Sequence, residues 1–85
     1  MQKSVMLVLM RKRRDTAVAV QKILTEHGCI IKTRLGIHDG VADQCSDSGL
    51  IVLELVGEEQ EKQALTQELA AIKDITVKRV DLSVP

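Results

Sequence analysis

An α+β fold of four antiparallel strands and two helices follows from three features of this 85-residue chain. Residues 4–10 and 50–55 are apolar on both faces of an extended segment, broken only by Ser4 and Glu54. Residues 30–37 and 75–80 have the same extended character but carry Lys32, Arg34, Lys78 and Arg79. Between these segments lie two stretches with apolar residues at helical spacing. A strand buried on both sides reads as a continuous apolar run, whereas inset Lys or Arg marks an edge. The first and third strands therefore belong in the centre and the second and fourth at the edges, in the order 4-1-3-2. With right-handed crossovers, the succession β-α-β-β-α-β is a ferredoxin-like sandwich with both helices on one face of the sheet. A chain of this length makes a single domain, residues 1–85.

Each element has its own local warrant. The basic run Arg11-Lys12-Arg13-Arg14 ends the first strand, and Asp15 is placed to cap a helix over 16–27. In that helix Val20, Ile23, Leu24 and His27 share a face, with Ala17 behind them. Gly28 suits the position just past a helix end. The second strand is expected over 29–37, with Ile31, Thr33, Leu35 and Ile37 on one side and Ile30, Lys32 and Arg34 on the other. Residues 38–49 form a polar connection, long beside the roughly 2–5 residues of most hairpin loops. Gly57 opens the second helix. Glu58, Glu59 and Glu61 complement the dipole at its start, and Leu65, Leu69 and Ile72 form its apolar stripe beside Ala64. The last strand begins near Ile75 and fades by Leu82.

Composition narrows the function. Apolar residues make up 45% of the chain, yet it has no Phe, Tyr or Trp, so the core is built from aliphatic side chains and methionine. The open face of the sheet is expected to carry alternate residues of the first strand with Leu50, Val52, Glu54, Lys32, Arg34, Lys78 and Val80. An apolar centre with a charged rim is the anatomy of a protein interface, which predicts a homodimer or homotetramer. Twelve basic and twelve acidic residues give no net charge, which argues against a general affinity for nucleic acid or anionic membrane. The sheet also lacks the aromatics on which RNA-recognition motifs stack bases. No apolar run approaches the roughly 20 residues of a membrane span, and the start does not read as a signal peptide. Two cysteines make no disulfide framework, so the expected compartment is the cytoplasm.

Chemistry-bearing residues are few. The basic run before the first helix reads as solvated surface or as an anion site at a helix start. His27, Cys29, His38 and Cys45 are types that bind nickel, zinc or copper. Eight or nine extended residues separate His27 from His38 by roughly 27–30 Å, so one metal cannot take both from the same chain. His38 and Cys45 converge within a subunit only together with Asp39, Asp43 or Asp47, and His27 joins them only from a partner. The alternative is that His27 completes a helix face, His38 starts a polar loop and Cys29 is a small buried residue. Glu54 invites an acid–base role if burial raises its pKa, and a structural role if it pairs with Lys32 or Arg34 across strands. No Gly-rich phosphate loop and no nucleophilic triad is present, so a non-enzymatic protein is expected.

The stretch Thr33-Arg34-Leu35-Gly36-Ile37, followed by a polar hairpin and then by residues 49–57, resembles a family of small stand-alone proteins regarded as regulators of iron-only hydrogenase systems. The likeness extends to Leu24-Thr25-Glu26-His27-Gly28 and to Ile75-Thr76-Val77-Lys78. That family is similar in fold to ACT domains and to the ligand-binding domain of the nickel-responsive regulator. The resemblance implies an ACT-like module that binds a small molecule or a metal at a subunit interface and passes its state to a partner protein. For such a module, ligand-binding roles are expected of His38, Asp39 and Cys45 in the long loop, with Arg34 and Gly36 shaping its base. On the nickel regulator's pattern His38 matches one strand histidine, Gly36 stands where a second would be, and Cys45 precedes the third strand that carries the cysteine. His27 would join such a site from a partner subunit. Two other readings stand beside the sensor. One is a small enzyme at a dimer interface with Glu54 or His38 as acid–base, and the other is a scaffold without ligand.

Overall fold

The computed structural model describes residues 1–11, 13–38 and 49–85, with the side chains of all of these except residues 13–15 and 38. Its elements are β1 (Gln2–Met10), α1 (Arg13–Glu26), a 3-10 turn (Gly28–Ile30), β2 (Ile31–His38), β3 (Gly49–Leu55), α2 (Glu59–Ala70) and β4 (Ile75–Ser83). The strands form one antiparallel sheet in the order β2-β3-β1-β4, the expected ferredoxin-like arrangement with the two apolar strands central. Among the described residues no helix is long and apolar enough to cross a membrane.

The register separates the two faces. Ser4, Met6, Val8 and Met10 on β1 stand opposite Leu55, Leu53, Ile51 and Gly49 on β3, and all eight are buried under the helices. Val20 and Leu24 from α1 and Leu65 and Leu69 from α2 close this core, with Ile30 at its margin. Ile23, Ile31, Ile72, Ile75 and Val77 pack around it. Each such side chain contributes about 1.5–3 kcal/mol when taken out of water. That matters in a domain small enough to bury only about 60% of its unfolded surface.

Several local expectations are corrected. The helix α1 begins at Arg13, so Asp15 lies inside its first turn and does not cap it. Gly28 starts a 3-10 turn; among the described glycines only Gly57 has a positive φ. That turn takes up Cys29 and Ile30, so β2 starts two residues later than expected and Cys29 is exposed.

The largest correction is on β2. Ile31 faces Leu55, but Thr33 faces Glu54, the next residue along β3, so the register shifts between Ile31 and Thr33. The extra residue of a bulge moves every later side chain to the opposite face. Arg34 and Gly36, opposite Leu53 and Ile51, therefore lie on the helix side. Thr33, Leu35 and Ile37 join the open face instead. There they meet Leu50, Val52 and Glu54, beyond which lie Val5, Leu7, Leu9, Lys78, Val80 and Leu82. Leu9, Leu35, Ile37, Val80 and Leu82 are all exposed.

Candidate functional site

The bulge brings two of the predicted ligand residues to one place. Arg34 and Gly36, projecting toward the helix layer from the edge strand, meet the flank of α1 across a cleft of about 220 Å³. Its walls include Met10 from β1, Val20 and Gln21 from α1, and Ile51 from β3. Arg34 Nη1 donates to Gln21 Oε1 at 2.8 Å, which ties the guanidinium to the helix. Among the described residues no carboxylate pairs with Arg34. Gly36 supplies the room: a Cβ built on it would meet nothing within 4 Å. A strand glycine on the core side with empty space above it marks a place where another group can approach the backbone.

Gln21 was missed at the sequence level. It sits at i+1 from Val20 and i−3 from Leu24, the two buried residues of α1, and so at the border of the apolar stripe. A border position next to an edge-strand arginine is a usable signal, but it appears only after the bulge is known.

The other predicted site residues part company. His38 ends β2 opposite Gly49, and its side chain lies outside the described residues together with Asp39 and Cys45. Asp43 and Asp47 lie outside them too. His27 is at the far end of β2, beyond Ile31. Seven strand steps between Ile31 and His38 cover about 23 Å, so His27 and His38 are not neighbours within a protomer. The His27 imidazole is engaged: Nε2 stands 2.6 Å from Glu68 Oε2 on α2, with the ring N–H donating to the carboxylate. A metal drawn to His27 would have to displace Glu68 or use Nδ1. No group of three or more metal-ligating side chains occurs among the described residues.

Glu54 is not primed as an acid. On the open face its Oε2 accepts from Lys3 Nζ at 3.0 Å, and Thr33 Oγ1 lies 3.5 Å from Oε1. The hydrogen bond from Lys3 holds its carboxyl below the ordinary carboxylate range, with Lys32 adding a favourable charge. The expected pairing with Arg34 is replaced by Lys3 because Arg34 is on the other face. The premise of a raised pKa is overturned with it.

A second polar cluster lies under α2. The Ser4 hydroxyl, buried at the base of β1, donates to Asp81 Oδ1 at 2.6 Å and accepts from Lys62 Nζ at 3.1 Å. Arg79 binds both oxygens of Glu59 at 2.7 and 2.6 Å and also donates to Asp81 at 3.2 Å. Its donors and acceptors meet one another, so the cluster locks α2 to β1 and β4.

No family model matches the chain, and no curated protein matches it. Solved structures do. An uncharacterized protein from Thermotoga maritima superposes with a TM-score of 0.81 at 21% identity, covering 98% of this chain and 100% of that one. The nitrogen regulatory PII-like protein CPII from Thiomonas intermedia K12, bound to ADP, AMP and bicarbonate, gives 0.60 at 10% identity over 100% of this chain and 97% of that one. A formyltetrahydrofolate deformylase from Pseudomonas putida KT2440 gives 0.58 at 12% identity, and the match spans 28% of its length. At these identities the likeness is one of fold.

Proposed function

We propose that this protein is a self-associating, non-catalytic regulatory module that binds a small ligand in the cleft beside Arg34. The observation that carries the reading is the double duty of β2. Arg34 and Gly36 line the cleft, Leu35 lies on the uncovered apolar face, and Ile37 on that face also borders the cleft. A ligand under α1 and a subunit on the open face would therefore bear on the same edge strand from opposite sides. Binding of one changes the affinity for the other to the extent that β2 differs between the two states, and the coupling is reciprocal.

The apolar face supports self-association. Nine aliphatic side chains spread over all four strands lie on it, with Lys3, Glu54 and Lys78 as its charged members. Contiguous apolar patches of this kind mark interaction sites. A second copy brings the same surface, apolar against apolar. The fold shared with a nitrogen regulatory PII-like protein is compatible with a regulatory role. The resemblance of the β2–β3 segments to regulators of iron-only hydrogenase systems suggests a metalloenzyme system as the process served. Nickel sensing through His38, Cys45 and a partner's imidazole is a narrower form of this reading, and the engagement of His27 by Glu68 weighs against its last ligand.

Sedimentation velocity tests the reading. The wild-type protein is expected to run as a dimer or larger species. Leu35→Glu is expected to run as a folded monomer, because it places a carboxylate on the apolar contact face. A wild-type protein that stays monomeric at its highest soluble concentration overturns the proposal.

A further inference from the structure

We propose that the ligand of the Arg34 cleft is a small aliphatic carboxylate, held by its charged end at the guanidinium with its hydrocarbon body in the space above Gly36. The proposal rests on the reading of this cleft as the ligand site and names the chemistry it selects. Three features of the cleft converge on it.

The first is charge. Arg34 lies at the mouth of the cleft, and among the described lining residues there is no acidic group. A guanidinium presents its donors in a planar fork that matches a carboxylate. The hydrogen bond from Nη1 to Gln21 Oε1 holds the fork against α1 before any ligand arrives, which lowers the ordering cost of binding. The Gln21 amide, which lines the same cleft, adds N–H donors beside the guanidinium. Arginine and glutamine together thus offer several N–H donors, with no acidic side chain among the described lining residues, a pattern that suits an anion.

The second is the wall. Met10, Val20 and Ile51 are aliphatic or thioether groups, buried in the core and open to the cleft on one side. They accept a hydrocarbon body. An ammonium group beside the carboxylate finds no acidic partner among the described lining residues, which disfavours a zwitterionic amino acid.

The third is size. The cleft has a volume of about 220 Å³. That is below the roughly 300–1,000 Å³ of sites for drug-sized ligands, so the walled part of the cleft matches a small molecule. A short or branched acid of a few carbons fits, and the missing side chain at Gly36 is what leaves the space.

The test is binding of isovalerate followed by the backbone amide signals of Gln21, Arg34 and Gly36, with thermal unfolding as a second readout. Isovaleramide has the same shape without the charge, leucine adds an ammonium group, and ADP and nickel stand for the other ligand classes. Isovalerate is expected to shift these amides and raise the melting temperature, and isovaleramide to bind about tenfold more weakly or worse, the cost of a lost charge-assisted hydrogen bond. Arg34→Gln is expected to lose isovalerate binding by a similar factor while keeping its fold, since Arg34 is exposed. Equal binding of the acid and the amide, or an Arg34→Gln protein that binds isovalerate as well as wild type, overturns the proposal. Binding of ADP or nickel at Gly36 with none of isovalerate overturns the carboxylate assignment, binding of leucine with none of isovalerate overturns the exclusion of an ammonium group, and each leaves the regulatory reading standing. No shift with any probe overturns both ligand assignments, while self-association is judged separately by sedimentation.

Discussion

Gly57 holds the turn between β3 and α2 at a φ of 98°, where a side chain is strained whatever the space around it. Space is also short, because a Cβ there would stand 3.0 Å from Cγ2 of the buried Ile30. Gly57→Ala is therefore expected to destabilise the protein by about 1–3 kcal/mol in urea unfolding. Gly36 predicts the opposite sign. Its φ is outside the left-handed region and a Cβ meets nothing, so Gly36→Ala is expected to stabilise by about 0.4–1 kcal/mol by restricting the unfolded chain. If both variants lose stability alike, the contrast drawn here between the two positions is wrong. The residue type alone does not separate them, since the need for a positive φ depends on how the chain turns between elements. The same limit hid the facing of Arg34. Counting alternation from Ile31 assigns it to the open face, and the bulge that reverses this falls between Ile31 and Thr33, at the polar Lys32, which does not report the slip. The cleft was thus readable as a pair of residues, Arg34 and Gly36, but not as a place, and its third polar member, Gln21, was not readable at all.

The elements were legible because each has a strong local signal. The double-sided apolar runs gave away β1 and β3, and the Leu65–Leu69 stripe gave away α2. What joins α2 to the sheet was not legible, because Ser4, Lys62, Asp81, Arg79 and Glu59 come from three elements with no spacing rule between them. The hydrogen bond from Ser4 holds the Asp81 carboxyl below its ordinary 3.8, with Arg79 assisting. The hydrogen bonds from Arg79 hold Glu59 below its ordinary 4.5. Both groups have a lower pKa folded than unfolded, so the unfolded chain binds protons first as pH falls. Their contribution is complete above about pH 5 and is lost as pH drops through these ordinary values and then through the lower folded ones. Stability measured across that range is expected to fall with acid, and Asp81→Asn is expected to flatten the fall, because an amide keeps a hydrogen-bond partner for Ser4 without titrating. An unchanged acid slope in Asp81→Asn would remove Asp81 from this account. Ser4→Ala at neutral pH is expected to cost about 1.5–3 kcal/mol, the net worth of a hydrogen bond to a charged group.

At the scale of the whole molecule the question is what covers the open face of the sheet. The sequence already showed that the centre of this face is too apolar for water, and the bulge makes it more so by exchanging Arg34 for Leu35 and Ile37. A chain of 85 residues without aromatics has little core to spare, so burial of this face by a second copy would contribute directly to folding. For a dimer that unfolds to separate chains, a tenfold rise in concentration changes the free energy by about 1.4 kcal/mol per dimer. Shared between two chains of this size, that moves the melting temperature by about 3–6 °C. The wild-type midpoint is therefore expected to rise with concentration. Leu9→Glu, on the central strand β1 of this face, is expected to abolish the dependence. Val18→Glu is the control, since Val18 is 79% exposed on the helix layer and a single exposed apolar residue needs no partner. If the midpoint is independent of concentration in wild type, the face is not closed by a second copy. If Val18→Glu removes the dependence and Leu9→Glu keeps it, association runs through the helices, and the coupling assigned to β2 fails with it.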